Sequence, residues 1–232
     1  MTIVASVRPQ EAVAPLLARG AILDQRLWHL PTPLAGSRDV RDARARLHAG
    51  GVSITSLETD LAGLDDALAR GSALRVRAVV VNGGALDGED PEAAADRLVR
   101  ALHGPLVGGA PLAIRNGLGE DAAVGFVATE WLLSELPRLR LWFDPSAALA
   151  RLRAGVGTEI SGWIDAYGLR MGGLFVHGLG SDGRGGAHPT DDGADWPSLW
   201  DALPTAAPRV LAMDPRFGDD DVRDALGYLR GL

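Results

Sequence analysis

The 232-residue chain carries a formal net charge of −7, and 47% of its residues are hydrophobic, which is enough for a sizeable core. The charges are interspersed, and the acidic balance argues against nucleic-acid binding, because phosphate backbones require a basic face. The absence of cysteine excludes disulfides, thiolate metal sites and cysteine nucleophiles. All 23 basic residues are arginines, and the absence of lysine excludes Schiff-base chemistry and a Walker-type phosphate loop.

Short apolar runs alternate with longer helical patterns along the chain. The apolar runs predict strands at residues 2–7, 21–24, 52–57, 75–81, 111–115, 139–143, 172–177 and 209–213. Helical spacing and capping signals predict helices at residues 9–19, 37–48, 60–70, 90–102, 121–136, 145–153, 159–166, 196–203 and 220–229, with Ser37 and Asp90 as two of the N-caps.

This alternation predicts a parallel sheet, because parallel neighbours need long crossover connections. Eight strand–helix units without a break in composition favour an α/β protein of the (β/α)8 TIM-barrel class, forming one domain over residues 1–232. A doubly wound open sheet is the alternative. No apolar run approaches the roughly 20 residues of a membrane helix, and residues 1–10 lack a signal-peptide pattern. We therefore expect a cytoplasmic protein with no membrane partner.

Polar residues follow most of the predicted strands. They are Glu58, Asn82, Arg115, Asn116, Asp144, His177 and Asp214. In a barrel the loops after the strands form the active site, so these side chains would converge on one mouth. Asp144, His177 and Asp214 are a candidate divalent metal site, because one imidazole and two carboxylates suit Mn, Zn, Fe or Co.

The remaining histidines and several tryptophans are weaker candidates. His188 lies in the loop after His177, where it is a further metal ligand, a substrate-binding residue or an exposed loop residue. Three other histidines are expected on the surface, in loops or helices: His29, His48 and His103. Trp28, Trp196 and Trp200 would mark a subunit contact of a homo-oligomer if exposed, although tryptophans more often pack in the core.

Residues 178–183 match the glycine pattern of a dinucleotide-binding loop. A true dinucleotide fingerprint opens a helix, whereas here residues 184–189 (Arg-Gly-Gly-Ala-His-Pro) follow and are incompatible with one. We therefore expect no nucleotide cofactor. No G-x-S-x-G motif is present to indicate a serine hydrolase.

Three stretches of the second half carry a family resemblance. They are Leu139-Arg-Leu-Trp-Phe-Asp144; Phe175-Val-His177 with the following loop, His188, Gly193-Ala-Asp195-Trp196 and Leu199; and Arg209-Val-Leu-Ala-Met-Asp214. Together, over residues 79–229, they resemble the xylose isomerase-like barrels, which include sugar-phosphate isomerases and epimerases and the endonuclease IV type. The resemblance implies a TIM barrel in which Asp144, His177 and Asp214 hold a divalent metal.

The same comparison reveals departures from the family pattern. Where the family has a glutamate that ligates the metal and transfers the proton, the stretch 112–116 offers Arg115, which can do neither near neutral pH. The last family glutamate is replaced by the shorter Asp214. The histidine that often follows the aspartate of the sixth strand is missing after Asp144.

Two functional hypotheses follow from this combination of family-like residues and departures from the family pattern. In the first, the protein is a metal-dependent isomerase or epimerase of a small sugar or hydroxy-carbonyl compound. Asp214 or Glu58 then moves the proton, and the substrate-binding residues are Arg115, Asn82, Asn116 and His188. In the second, Arg115 replaces the charge of the metal by pairing with Asp144 or Asp214. The barrel then binds a small polar or anionic ligand, or a protein partner, without catalysis.

Overall fold

The computed structural model describes residues 2–8, 11–31, 40–82, 91–116, 125–181, 183, 185–191, 194–204 and 206–232. Eight strands form the main sheet: β1 Ile3–Ser6, β2 Leu27–Leu30, β3 Ser53–Thr59, β4 Ala78–Asn82, β5 Leu112–Arg115, β6 Arg140–Phe143, β7 Met171–Val176 and β10 Arg209–Leu211. Two short strands, β8 Gly178–Leu179 and β9 Gly185–Ala187, pair antiparallel in a separate ribbon after β7.

The helices follow the strands in chain order. They are α1 Val13–Ile22, α2 Val40–Ala49, α3 Leu64–Leu74, α4 Pro91–Val107, α5 Phe126–Glu135, α6 Pro145–Arg153, α7 Ile160–Tyr167, α8 Trp196–Ala202 and α9 Asp219–Gly231, with a 3₁₀ turn at Gly168–Arg170. The predicted N-caps Ser37 and Asp90, and residues 121–124 of the predicted fifth helix, lie outside the described residues. In the part of the chain that the structure describes, no helix is both long and apolar enough to cross a membrane.

The sheet closes on itself in the order β1-β10-β7-β6-β5-β4-β3-β2, and every neighbouring pair is parallel. The first and last strands meet at the seam, where Val4 is in register with Val210. The prediction of a (β/α)8 barrel is therefore confirmed, and the open-sheet alternative is wrong. Closure places the carboxyl ends of all eight strands around one mouth.

The strand predicted at residues 21–24 is wrong. Residues 21 and 22 complete α1, and the chain turns at Leu23 and Asp24, whose φ of 47° is left-handed. The second barrel strand is instead β2, so the sequence prediction placed it six residues too early. The helical periodicity of α1 extends through this apolar segment and determines its conformation.

One apolar layer fills the barrel lumen, and a second lies between the barrel wall and the helices. Successive side chains of a strand point to opposite faces, so each strand contributes to both layers. On β4, Val79 and Val81 face the helices, whereas Ala78 and Val80 face the lumen. Trp142 and Phe175 fill the lumen with aromatic rings whose centroids are 5.8 Å apart. All three tryptophans considered for a subunit contact, Trp28, Trp196 and Trp200, are buried, so core packing accounts for them.

Gly173 makes room for Trp142, its register partner on the neighbouring strand. A Cβ at position 173 would lie 2.5 Å from the indole Cε2 and 2.7 Å from Cδ2. We expect Gly173→Ala to lower the free energy of unfolding by about 1–3 kcal/mol through overpacking, as measured by urea denaturation. Gly227→Ala on α9, where an added Cβ meets nothing within 4 Å, is the matched control.

The control variant should leave stability unchanged or raise it by up to about 1 kcal/mol, because alanine favours a helix more than glycine does. Equal effects of the two substitutions would contradict the packing role assigned to Gly173.

Candidate functional site

Arg115 lies at the centre of the mouth, at the carboxyl end of β5, between two carboxylates. Its Nη1 donates to Glu58 Oε1 at 2.9 Å, and its Nη2 donates to Asp144 Oδ2 at 2.7 Å. Glu58 comes from β3 and Asp144 directly follows β6, so the three residues come from the stretch of wall that runs from β3 through β4 and β5 to β6. The guanidinium also stacks over the Phe175 ring, 4.0 Å from its centroid. We call these residues, with His29 and His177, the mouth cluster.

His177, which follows β7, is the second member of the mouth cluster that contacts Asp144. Its Nε2 lies 3.1 Å from Asp144 Oδ2, the same oxygen that accepts from Arg115. The ribbon of β8 and β9 packs on the imidazole, and Gly185 is required there because a Cβ would lie 2.5 Å from the ring Cε1. The glycine pattern at residues 178–183 thus belongs to a ribbon that covers His177, and the next helix among the described residues, α8, begins only at Trp196.

His29 is a member of the mouth cluster that the sequence analysis missed. It was expected on the surface, but it lies on β2 with 1% of its area exposed. Its Nε2 is 3.3 Å from Glu58 Oε2, and its Nδ1 is 3.0 Å from the Ser56 hydroxyl. The misplaced second strand caused this error. The run Leu-Trp-His-Leu at residues 27–30, just before Pro31, was the signal that could have identified it. The surface prediction holds for His48 and His103.

Asn116, a candidate substrate ligand, instead clamps the backbone of Asp144. Its Nδ2 donates to the Asp144 carbonyl at 2.8 Å, and its Oδ1 accepts from the Asp144 N–H at 2.6 Å. Asp144 Oδ1 in turn caps α6 by accepting from the Ala147 N–H at 2.9 Å. Asn82, at the end of β4, is in register with Arg115 and does not line the cavity of the mouth.

Asp214 and His188 lie apart from Asp144 and His177. Asp214 is on the rim, with 40% of its side chain exposed, and its Oδ1 accepts from the Arg216 N–H at 2.8 Å. His188 points toward α9, where its Nε2 is 3.5 Å from Asp224 Oδ2. The structure therefore joins Asp144 to His177, and among the described residues neither Asp214 nor His188 completes a metal-binding group with them.

Three members of the mouth cluster, Arg115, Glu58 and Asp144, are held in their ionised states. Burial disfavours the charged form of Glu58, but the charge of Arg115 and the hydrogen bond from His29 outweigh it and lower its pKa from 4.5 to about 2. Burial likewise opposes ionisation of Asp144, and its pairing with His177 and Arg115 holds the pKa of that carboxyl well below its usual range. The two carboxylates raise the pKa of Arg115 despite its burial.

A cavity of about 250 Å³ opens above the mouth cluster. Its polar lining comes from Ser6, His29, Glu58, Arg115, His177 and Asp214. Its apolar lining comes from Val7, Pro31, Phe175, Ala212, Met213 and Pro215. The volume lies just below the roughly 300–1,000 Å³ typical of drug-sized ligands, so the cavity suits a small molecule.

The donor set does not fit the divalent metal that the family resemblance implies. Among the described residues, no three His, Asp or Glu side chains are placed together to hold a metal ion. Asp144 Oδ2 already accepts from both Arg115 and His177. A cation bound there would also lie against a guanidinium, whose positive charge would repel it.

No protein-family model matches the chain, and no curated protein matches it by sequence. Solved structures do match its fold. A putative xylose isomerase from Rhodospirillum rubrum superposes with a TM-score of 0.75 at 14% identity, over 100% of this chain and 99% of that one. A D-allulose 3-epimerase from Methylomonas sp., solved with D-allulose, gives 0.70 at 14% identity over 100% and 96%. Endonuclease IV from Thermus thermophilus gives 0.66 at 20% identity over 100% of both chains. The chain thus has the fold of the xylose isomerase-like TIM barrels.

Proposed function

We propose that the barrel binds a small hydroxylated molecule at its mouth without a metal ion, and that Arg115 supplies the positive charge which a metal would otherwise bring. The observation that carries this proposal is the position of the guanidinium. It is bonded to Glu58 and Asp144 at 2.9 and 2.7 Å beneath an open cavity.

The lining of the cavity matches the chemistry of hydroxyl groups, which both donate and accept hydrogen bonds. Arg115 offers N–H donors, and the Glu58 carboxylate offers acceptor lone pairs. Phe175 and Met213 supply apolar surface against which the carbon skeleton of such a ligand would pack. The resemblance in fold to an epimerase solved with a bound sugar supports the same ligand class.

Proton transfer by the proposed catalytic residues is not favoured. A general base is most effective when its pKa is near the working pH, whereas the Glu58 pKa of about 2 makes this carboxylate a very weak base. Asp214 lies on the rim and bonds to the Arg216 N–H. These observations favour ligand binding over the metal-dependent isomerase hypothesis.

Calorimetric titration of the protein in excess EDTA with a panel of neutral pentoses, hexoses and their alditols tests the proposal. We expect saturable binding of at least one member, unchanged by EDTA and weakened at least tenfold by Arg115→Met, because the substitution removes the donor and takes the guanidinium away from both carboxylates. Arg100→Met on α4, whose side chain is 71% exposed, is the matched control and should bind normally. Binding that appears only after metal is added would overturn the proposal, as would no binding by any member.

The lowered pKa of Glu58 also predicts a pH dependence of stability. Because the pKa of Glu58 is lower in the folded chain, its contribution is present above pH 4.5 and is lost as the pH falls toward 2. We expect the stability advantage of the wild type over Glu58→Gln to shrink by about 2 kcal/mol between pH 7 and pH 3, as measured by urea denaturation. Glu135→Gln, at an exposed position of α5, controls for a general acid effect. A difference that is constant with pH would contradict the assigned ion pairs.

A further inference from the structure

The balance of charge at the mouth points to one class of ligand. We infer that the cavity prefers a cationic hydroxylated molecule, such as an amino polyol or amino sugar, over its neutral and anionic analogues. This inference rests on the proposed function and departs from the sequence-based expectation of a small polar or anionic ligand.

The guanidinium of Arg115 is already matched by carboxylates. Two of its nitrogens donate to Glu58 and Asp144 in hydrogen bonds shorter than 3.0 Å, and only 14% of the side chain is exposed. An anion entering the cavity would therefore meet a cation whose charge is more than compensated by its two partners. Exchanging those partners for the anion would leave two buried carboxylates without their guanidinium partner, which is costly.

Carboxylates outnumber guanidinium groups among the described residues of the mouth. Three carboxylates stand there, Glu58, Asp144 and Asp214, against the single guanidinium of Arg115. Arg216 offsets the rim only weakly, because it lies 4.0 Å from Asp214 and has 57% of its side chain exposed to screening solvent.

Two carboxylates line the open part of the cavity and can meet a ligand ammonium. Glu58 contacts the cavity from the floor, with 11% of its side chain exposed, and Asp214 contacts it from the rim, with 40% exposed. The net charge of −7 over the whole chain adds a field of the same sign. A ligand with one ammonium group would place a positive charge near both of these carboxylates.

Three probes with one carbon skeleton test this inference: 1-amino-1-deoxysorbitol, sorbitol and gluconate, titrated by calorimetry at pH 7 and low salt. We expect the amine to bind at least tenfold more tightly than gluconate, with sorbitol between them. This spread in affinity between the amine and gluconate should narrow as salt is added. Asp214→Asn should narrow the spread, because it removes the rim carboxylate. Asp220→Asn on α9, whose side chain is 93% exposed, should not.

The outcomes separate this inference from the proposed function. If sorbitol binds and gluconate binds as tightly as the amine or more tightly, the charge preference is wrong while the metal-free binding site stands. If none of the three probes binds, the preference for amino polyols is overturned, and the outcome of the neutral panel decides the proposed function separately. A spread that Asp214→Asn leaves unchanged would overturn the role of the rim carboxylate.

Discussion

The pairing of one buried guanidinium with two buried carboxylates is the interaction on which the mouth of this barrel depends. Removing three charges from water is costly, and the ion pairs compensate only when their geometry is good. Arg115 meets that condition by using different nitrogens for Glu58 and Asp144 and by stacking on Phe175. Each partner comes from a different strand, so the arrangement depends on the alignment of β3 to β6 in the barrel wall.

The support beneath these ion pairs explains why they hold one position. Trp142 and Phe175 fill the lumen directly below, and Gly173 gives the indole its space. Asn116 fixes the backbone of Asp144 through two hydrogen bonds, and the same aspartate caps α6. The Asp144 carboxylate thus serves the helix, the guanidinium and His177 at once, which leaves little capacity for a metal ion.

The sequence predicted the fold better than the site, and the physical reasons differ. Strand and helix periodicities are local, so seven of the eight strands were placed, and polar residues at their ends marked the mouth. The misplaced second strand hid His29, because residues 21–24 carry an apolar signal that helix α1 absorbs. The pairing of Arg115 with Asp144 was anticipated as one option. That Glu58 is the second partner depends on the register of the barrel strands, which cannot be derived from a single sequence by inspection.

The role of Asn116 shows a further limit. An amide at a strand end has the same appearance in sequence whether it faces a ligand or the neighbouring backbone, and only the geometry of β5 and β6 decides between them. His188 likewise directly follows the β8–β9 ribbon, and its side chain points toward α9. Such side-chain directions depend on loop conformations that hydrophobic periodicity does not report.

The most direct test of this account is the metal content of tag-free protein after soaking with Mn²⁺ and Zn²⁺ and exhaustive dialysis, measured by mass spectrometry beside two double variants. Asp144→Ala/His177→Ala removes the two mouth residues that the family resemblance assigns to a metal. Asp220→Ala/His103→Ala removes an exposed pair of the same residue types. The account predicts that the wild type retains no stoichiometric metal and is indistinguishable from both variants. One metal ion per chain, lost only from the Asp144→Ala/His177→Ala variant, would contradict it.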